Sequence, residues 1–311
     1  MARSADSVLA MLRTPVQRGF SQTIETGPVA QSVRSRLLRR FLRSRLALAC
    51  LVLLIFLHFA AFAGPSVYAV SAYEVRPLDA FAVPSPAHLL GTDESGRDVL
   101  ARLLVGAQIS LFVGWTATLI AGVLGTGIGL LSGYFGGRVD VVTMRFTDAI
   151  LSLPTFFLLL IALAFFGGGI PILTIVIGMT SWMGVARVVR SEVLRWLSHD
   201  FVVAARAIGA NDQRIILRHI LPQAVPSLIV AGSLGVGAAI LTEAAMSFLG
   251  LGVTAPIPSW GNMLMNSQRY IYAAPFLSVY PGFLIFLTVL GYNFLGDGLR
   301  DALDPYSVRT G

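Results

Sequence analysis

Few side chains in this 311-residue sequence can do chemistry, and their types narrow what chemistry is open. All 23 basic residues are arginine and no lysine occurs, which excludes a Gly-Lys-Ser/Thr phosphate loop and a Schiff-base mechanism. Nucleotide hydrolysis of that kind must come from another chain. The single cysteine, Cys50, sits in an apolar run, and His58, His88, His199 and His219 are scattered without the spacing of a zinc site. No metal, cofactor or catalytic group is therefore expected here. What remains is an acid embedded between apolar runs, Glu243, a charged cluster, GTDESGRD, at residues 91–98, and a punctuated stretch with three arginines, DFVVAARAIGANDQRIILRHILPQ, at residues 200–223. An acid such as Glu243 has two readings: a gate or pathway group, or a side chain that snorkels or caps at the membrane surface.

The elements that must position these groups are membrane helices. Hydrophobic residues make up 55% of the chain and charged ones 13%, with a mean hydropathy of +0.76, too apolar for a soluble domain of this length. A helix needs about 20 apolar residues to cross the hydrocarbon. Runs free of Asp, Glu and Arg cover residues 46–73, 103–137, 149–186, 219–242, 244–268 and 270–296. The third is broken by GGGIP at Gly167–Pro171, glycines for a reversal and a proline to begin a helix, and reads as a hairpin of two spans. The fifth contains LGLGVTAPIPSWGN, whose Gly, Pro and Asn make a continuous lipid-exposed helix costly. It is expected to be a non-spanning extracytoplasmic or re-entrant segment. The fold class that follows is an all-α integral membrane protein with six transmembrane helices.

Nine arginines precede the first span, which places the N-terminus in the cytoplasm. Six spans then put 19 arginines and the C-terminus on that side and leave Arg76, Arg97, Arg102 and Arg269 on the other. The expected order is a basic, partly disordered cytoplasmic tail over 1–40, a first transmembrane helix over 41–70 and an extracytoplasmic loop over 71–102. A core of five transmembrane helices follows over 103–300, with a cytoplasmic loop at 190–218 between spans 4 and 5 and the extracytoplasmic or re-entrant segment at 244–270. A cytoplasmic tail covers 301–311. Ala61-Phe62-Ala63 has the look of a signal-peptidase site, but the long basic region before it and the spans after it favour an uncleaved anchor.

Each polar cluster carries local signals. Asp200 can cap a short helix, FVVAARAI, and Gly209 is suited to end it in a left-handed turn. Asn211 caps a second helix, with Asp212 at its positive end, before Pro222 lets the next span begin. Eight apolar residues do not hold a helix alone in water, because nucleation is costly. The helix needs a surface, either its own bundle and the headgroups, with Arg206, Arg214 and Arg218 on anionic lipid, or a groove on a cytoplasmic partner. In GTDESGRD, Thr92 or Asp93 can cap the helix entering the second span, with Arg97 and Asp98 facing outward at the membrane edge as solvated charges or as contacts for an extracytoplasmic partner. Arg145 and Asp148 fall at the start of the third span, and Pro154 within it reads as a kink. Trp260, Tyr270 and Tyr272 fit an interfacial aromatic belt, and Pro305 a helix stop.

The stretch AARAIGANDQRIILRHILP resembles the cytoplasmic "EAA" loop of ABC-transporter permeases, in which Glu-Ala-Ala is followed after three residues by Gly and later by Leu-Pro. The matching positions are Val203-Ala204-Ala205, Gly209 and Leu221-Pro222, with Val203 in place of the usual Glu. HLLGTDESGRDVLARLLVGAQISL, SGYFGG, MRFTDAILSLP, LTEAAMSFLGLG and NFLGDGLRDALDP resemble landmarks of the dipeptide, oligopeptide and nickel permease branch, in order, from about Arg40 to Pro305. The resemblance implies a multi-pass inner-membrane permease subunit of a bacterial binding-protein-dependent ABC importer. Its implied partners are a homologous second permease, two ATPase subunits that bind ATP and Mg, an extracytoplasmic substrate-binding protein and membrane lipid, with no nucleic acid. It also implies that Phe201, Val203, Ala204, Ala205, Arg206, Gly209, Leu221 and Pro222 form the ATPase-coupling surface, with Phe201–Ile208 as the coupling helix. From the residues alone, an ion-coupled secondary transporter, which needs ionisable groups or broken helices near the midplane, and a non-conducting scaffold subunit stay open as alternatives.

Overall fold

A computed structural model describes residues 41–303 apart from Arg43. The basic tail over 1–40 and the tail from Asp304 on, with Pro305 as a helix stop, lie outside the described residues. Nine helices carry the architecture of the described residues. They are α1 (Arg45–Val67), α2 (Val99–Phe135), α3 (Gly137–Leu151), α4 (Thr155–Phe166), α5 (Ile170–Leu197), α6 (Asp200–Ala207), α7 (Asp212–Phe248), α8 (Trp260–Ser267) and α9 (Phe276–Leu303).

Five of these, α1, α2, α5, α7 and α9, are long and apolar enough to cross a membrane. A sixth span exists only if α3 and α4 are taken together across a bend of 82°. The bend falls at Ser152-Leu153-Pro154, where Pro154 has no N–H with which to continue the helical ladder. α4 alone is 12 residues, roughly 18 Å of helix, against a hydrocarbon core of about 30 Å. The first arm of the hairpin expected at 149–186 is therefore the shorter half of a broken span, and only its second arm, α5, is long enough to cross alone.

Close backbone approach joins the two helices with the most extensive contact, α2 and α5. Gly125, Gly129 and Gly133 recur every four residues on α2, and a Cβ on them would lie 2.6 Å from Trp182 O, 2.6 Å from Ala186 O and 2.7 Å from Val193 Cβ. Small residues at this spacing let helices pack in lipid, where no hydrophobic force draws them together. A second core joins α1, α2, α7, α8 and α9 through Leu54, Leu103, Leu111, Ile240, Trp260 and Ile285. Ala61 is fully buried in it, and its carbonyl accepts a hydrogen bond from Gln108 Nε2 at 2.8 Å. On the opposite side of α1, Val52, Ile55, Phe56, Phe59 and Phe62 are all more than half exposed, an apolar stripe stable only against hydrocarbon.

The helix after the punctuated stretch starts earlier than its proline suggests. Asn211 accepts a hydrogen bond from Arg214 N, and α7 runs without a break from Asp212 to Phe248. Between Ile215 and Ile220 it widens into a π turn, and Leu221 N–H donates to Ile216 O, five residues back. Pro222 and Pro226 sit just beyond, where missing amides disturb the regular ladder. At its far end α7 takes in residues 244–248, so the segment between spans starts at Leu249, dips through α8 and ends before α9.

Candidate functional site

The bundle has two ends with different polar chemistry, one at α6 and the other at α8, joined by the full length of α7. At the first end, α6 is held by one face only. Val202 and Ala205 are buried, and Val202 packs with Leu130, Tyr134, Val189, Val193, Ile215 and Ile220 from α2, α5 and α7. Its other faces carry Phe201, Val203, Ala204, Arg206, Ala207 and Ile208, all exposed, with Val203 at 57% and Ile208 at 86%. Gly209 ends the helix at φ +84°, and Gly209 N and Ala210 N donate to Arg206 O and Ala205 O, each at 3.0 Å. Asp200 lies in the first turn, not at the cap, which is His199 without a side-chain bond. Ala204 and Ala205, adjacent in sequence, thus point opposite ways. Leu221 and Pro222 lie past the π turn on α7, half-buried and exposed.

A set of polar ties, invisible to local sequence signals, surrounds α6. Tyr134 on α2 donates to Asp212 on α7 at 2.5 Å, and the Arg206 guanidinium lies 5.9 Å from the Tyr134 ring centre. On α5, Arg190 pairs with Asp140 of α3, which also accepts from Ser132 of α2 at 2.5 Å, and Arg187 pairs with Asp148. Glu192 of α5 accepts from Ser227 of α7 at 2.7 Å and from the Trp196 indole at 3.1 Å. Every helix end near α6 is linked to a neighbour. The only sequence hint is the register: Arg187 and Arg190 lie one turn apart on α5, Asp140 and Asp148 two turns apart on α3.

At the other end, the GTDESGRD cluster turns inward. Asp98, not Thr92 or Asp93, caps α2, accepting from Ala101 N at 2.8 Å. The same buried carboxylate accepts from Tyr68 OH and His88 Nδ1, both at 2.9 Å. Burial and the bond to Asp98 push the Tyr68 phenol above its ordinary range. Asp93 accepts from Ser95 N, Arg97 N and Arg97 Nε at 2.8, 3.0 and 2.7 Å, and Arg97 also donates to Glu94. The outward-facing placement expected of Arg97 and Asp98 is replaced by a closed network, because the α2 terminus needs an acceptor for its free amides.

Glu243 is likewise not at the surface. It is 0% exposed, and its carboxylate accepts from Ser110 of α2 at 2.8 Å and from Ser247, one turn along α7, at 2.7 Å. A snorkelling role is corrected: the side chain is enclosed where α2, α7 and the start of α8 meet. Sequence reading also missed a polar node in a cavity of about 780 Å³ between α1, α2, α7 and α9. There His58 Nδ1 donates to Leu54 O at 2.8 Å, which leaves the single lone pair of Nε2 shared between Trp115 Nε1 at 3.1 Å and Tyr292 OH at 3.2 Å.

Residues 125–307, which include all of the α6 end from Leu130 on, match the family described as "Binding-protein-dependent transport system inner membrane component". The chain belongs to this family of permeases. Residues 32–84 also match the "N-terminal TM domain of oligopeptide transport permease C". This permease is 40% identical over 85% of its length to a dipeptide transport system permease protein, DppC, of Alkalihalophilus pseudofirmus, covering 86% of it. It is 40% identical over 86% of its length to a glutathione transport system permease protein, GsiD, of Pectobacterium atrosepticum, covering 89% of it. Against an oligopeptide transport system permease protein, OppC, of Haemophilus influenzae the identity is 39%, with 86% of each chain covered. The fold is similar to that of a chain from a structure of the MetNI methionine ABC transporter, with a TM-score of 0.52 at 18% identity over 66% of this chain and 97% of that one. Its apolar helices and its family make it a multi-pass permease of the bacterial inner membrane.

Proposed function

We propose that this permease forms half of the translocation pathway of an ATP-driven importer for dipeptides, oligopeptides or related solutes such as glutathione, the substrates named for its relatives. The other half is a homologous second permease. Two ATPase subunits bind ATP and Mg on the cytoplasmic side, where the arginine bias puts the α6 end, and a substrate-binding protein delivers solute to the α8 end. A chain without lysine supplies no phosphate loop of its own and catalyses nothing.

One observation carries the coupling role. α6 spends only Val202 and Ala205 on its own bundle and, beside Phe201 against the Trp196 ring, leaves Val203, Ala204 and Ile208 as an exposed apolar surface without a partner among the described residues. Exposed apolar surface of this kind on a short helix fits a groove on a partner protein. The coupling surface is thus Phe201, Val203, Ala204 and Ile208 rimmed by Arg206, with Ala205 and Gly209 setting the helix's seat and turn. The charge usual at position 203 is absent, so contact there is apolar. Because α6 packs through Val202 against α2, α5 and α7, and its Arg206 lies over the Tyr134 ring whose hydroxyl joins α2 to Asp212 of α7, closure of the ATPase pair around it moves three helix ends as a unit.

Two tryptophan substitutions test this. Ala205→Trp overpacks a buried site and should lower the stability of the permease itself by about 1–3 kcal/mol. Ala204→Trp alters an exposed position and should leave its melting unchanged while abolishing co-purification with the ATPase subunits. Retained ATPase binding and dipeptide uptake in the Ala204→Trp variant would refute the assignment.

A further inference from the structure

We infer that Glu243 is a positioning residue: it latches residues 249–270 onto the ends of the spans, and release of this latch is the movement that opens the extracytoplasmic mouth. The inference rests on the orientation proposed above, in which the α8 end faces the binding protein.

The geometry is a two-armed relay. Each serine gives its hydroxyl proton to the Glu243 carboxylate, which turns the hydroxyl oxygen's lone pairs toward the segment. Ser247 Oγ then accepts from Val253 N at 3.0 Å, and Ser110 Oγ from Trp260 N at 3.4 Å. Both arms end on backbone amides of the segment, one before α8 and one at its first residue. Glu243 fixes the rotor of both serines, and the hydroxyl of Ser259, the α8 cap within the segment itself, also faces its carboxylate. Replacing the carboxylate leaves each hydroxyl free to turn its proton toward the amide it now accepts from.

The segment bridges the ends of several spans at once. Gly169 N, in the turn between α4 and α5, donates to Gly252 O at 3.0 Å, the Trp260 indole donates to Leu103 O on α2 at 3.2 Å, and Ser267 and Ser278 on α9 share a hydrogen bond of 2.7 Å. Internally it is stiff: Ser259 and Asn262 cap α8 reciprocally, and the Asn262 amide donates to Val253 O and Ile257 O. It also lies directly on α7, since a Cβ on Gly261 would be 2.5 Å from Ala244 O and one on Gly252 would be 2.3 Å from Ser247 Oγ. A stiff piece joined to the ends of α2, α7, α9 and the α4–α5 turn moves as one body. Among the described residues no ion pair involves Glu243. A fully buried acid without a cation is a poor choice for stability alone, because apolar packing at the same site is often neutral or better. Its hydroxyl partners, Ser110, Ser247 and Ser259, give it a different use, as a contact made in one position of the segment and lost in the other.

The test uses the assembled importer in lipid nanodiscs, with hydrogen exchange followed over 249–262 and ATP hydrolysis measured with and without the solute-loaded binding protein. Glu243→Gln keeps one acceptor oxygen and makes the other position a donor, so it should speed exchange about tenfold, the size of one lost hydrogen bond, at the amide whose serine loses its acceptor, Val253 or Trp260, with α6 unchanged. It should also raise hydrolysis without binding protein, so that the stimulation ratio falls, and Glu243→Asp should recover part of it. If Glu243→Gln does not assemble, Ser247→Ala and Ser110→Ala decide the matter, each raising exchange at its own amide, Val253 or Trp260. Wild-type exchange in these variants overturns the latch; faster exchange with an unchanged stimulation ratio overturns its role in opening. A wild-type complex that no binding protein stimulates would count against the importer reading instead, with the exchange experiment still deciding the latch.

Discussion

Gly209→Val perturbs α6, the proposed coupling helix, through the backbone alone. Gly209 sits at φ +84°, and a Cβ placed there meets no atom within 4 Å, so no clash with the rest of the chain contributes. The cost is that of holding an L-residue in the left-handed region, about 1–2 kcal/mol for alanine and more for a β-branched side chain. If the backbone relaxes to negative φ instead, the bonds from Gly209 N to Arg206 O and from Ala210 N to Ala205 O are lost, and with them the end of α6. A helix of eight residues has little stability of its own, so the penalty falls on its docked population, reducing it about 5- to 30-fold. The assay is solute taken up per ATP hydrolysed in proteoliposomes containing the whole importer. Asparagine, which tolerates this region, should stay near wild type, alanine should be intermediate and valine should fall fivefold or more. Equal coupling for Asn and Val at equal expression would refute the reasoning, as would alanine proving worse than valine.

Other substitutions separate burial from exposure in the same way. Asp98→Ala removes the cap of α2 and strands Tyr68 and His88, and should cost the permease about 2 kcal/mol or more in thermal unfolding, with little salt dependence because the carboxylate is enclosed. Gly129→Ala drives a methyl to 2.6 Å from Ala186 O and should destabilise the α2–α5 contact by about 1–3 kcal/mol, whereas Gly127→Ala on the same helix meets nothing within 4 Å and should be neutral or stabilising in the isolated chain. Asp140→Asn weakens the Arg190 tie to α3 and should lower melting most at low ionic strength, since the pair is only partly buried.

The α6 end divides cleanly into what short-range and long-range forces control. The helix of eight residues, the left-handed glycine after it and the Asn211 cap were legible because each depends on hydrogen bonds between residues three to five apart. The side of α6 that faces the bundle was not legible: Ala204 and Ala205 are the same residue type, and only the fold tells them apart by burying Ala205 and exposing Ala204. The membrane class, the number of apolar runs and the family motifs likewise lie in the sequence, since hydropathy and motif order need no contacts. A kink at Pro154 was legible, but its 82° angle, the inward turn of Asp98 and the enclosure of Glu243 needed the fold. Ser110 and Glu243 are 133 residues apart and Arg190 and Asp140 are 50 apart, and no local signal distinguishes such a pair from any other polar residues near a span. The sequence by itself determined the helices and the lipid they must face, because apolar length and capping act locally. Only the tertiary structure decided which polar groups meet inside, because a group buried in a low-dielectric core must find its partner wherever packing brings one.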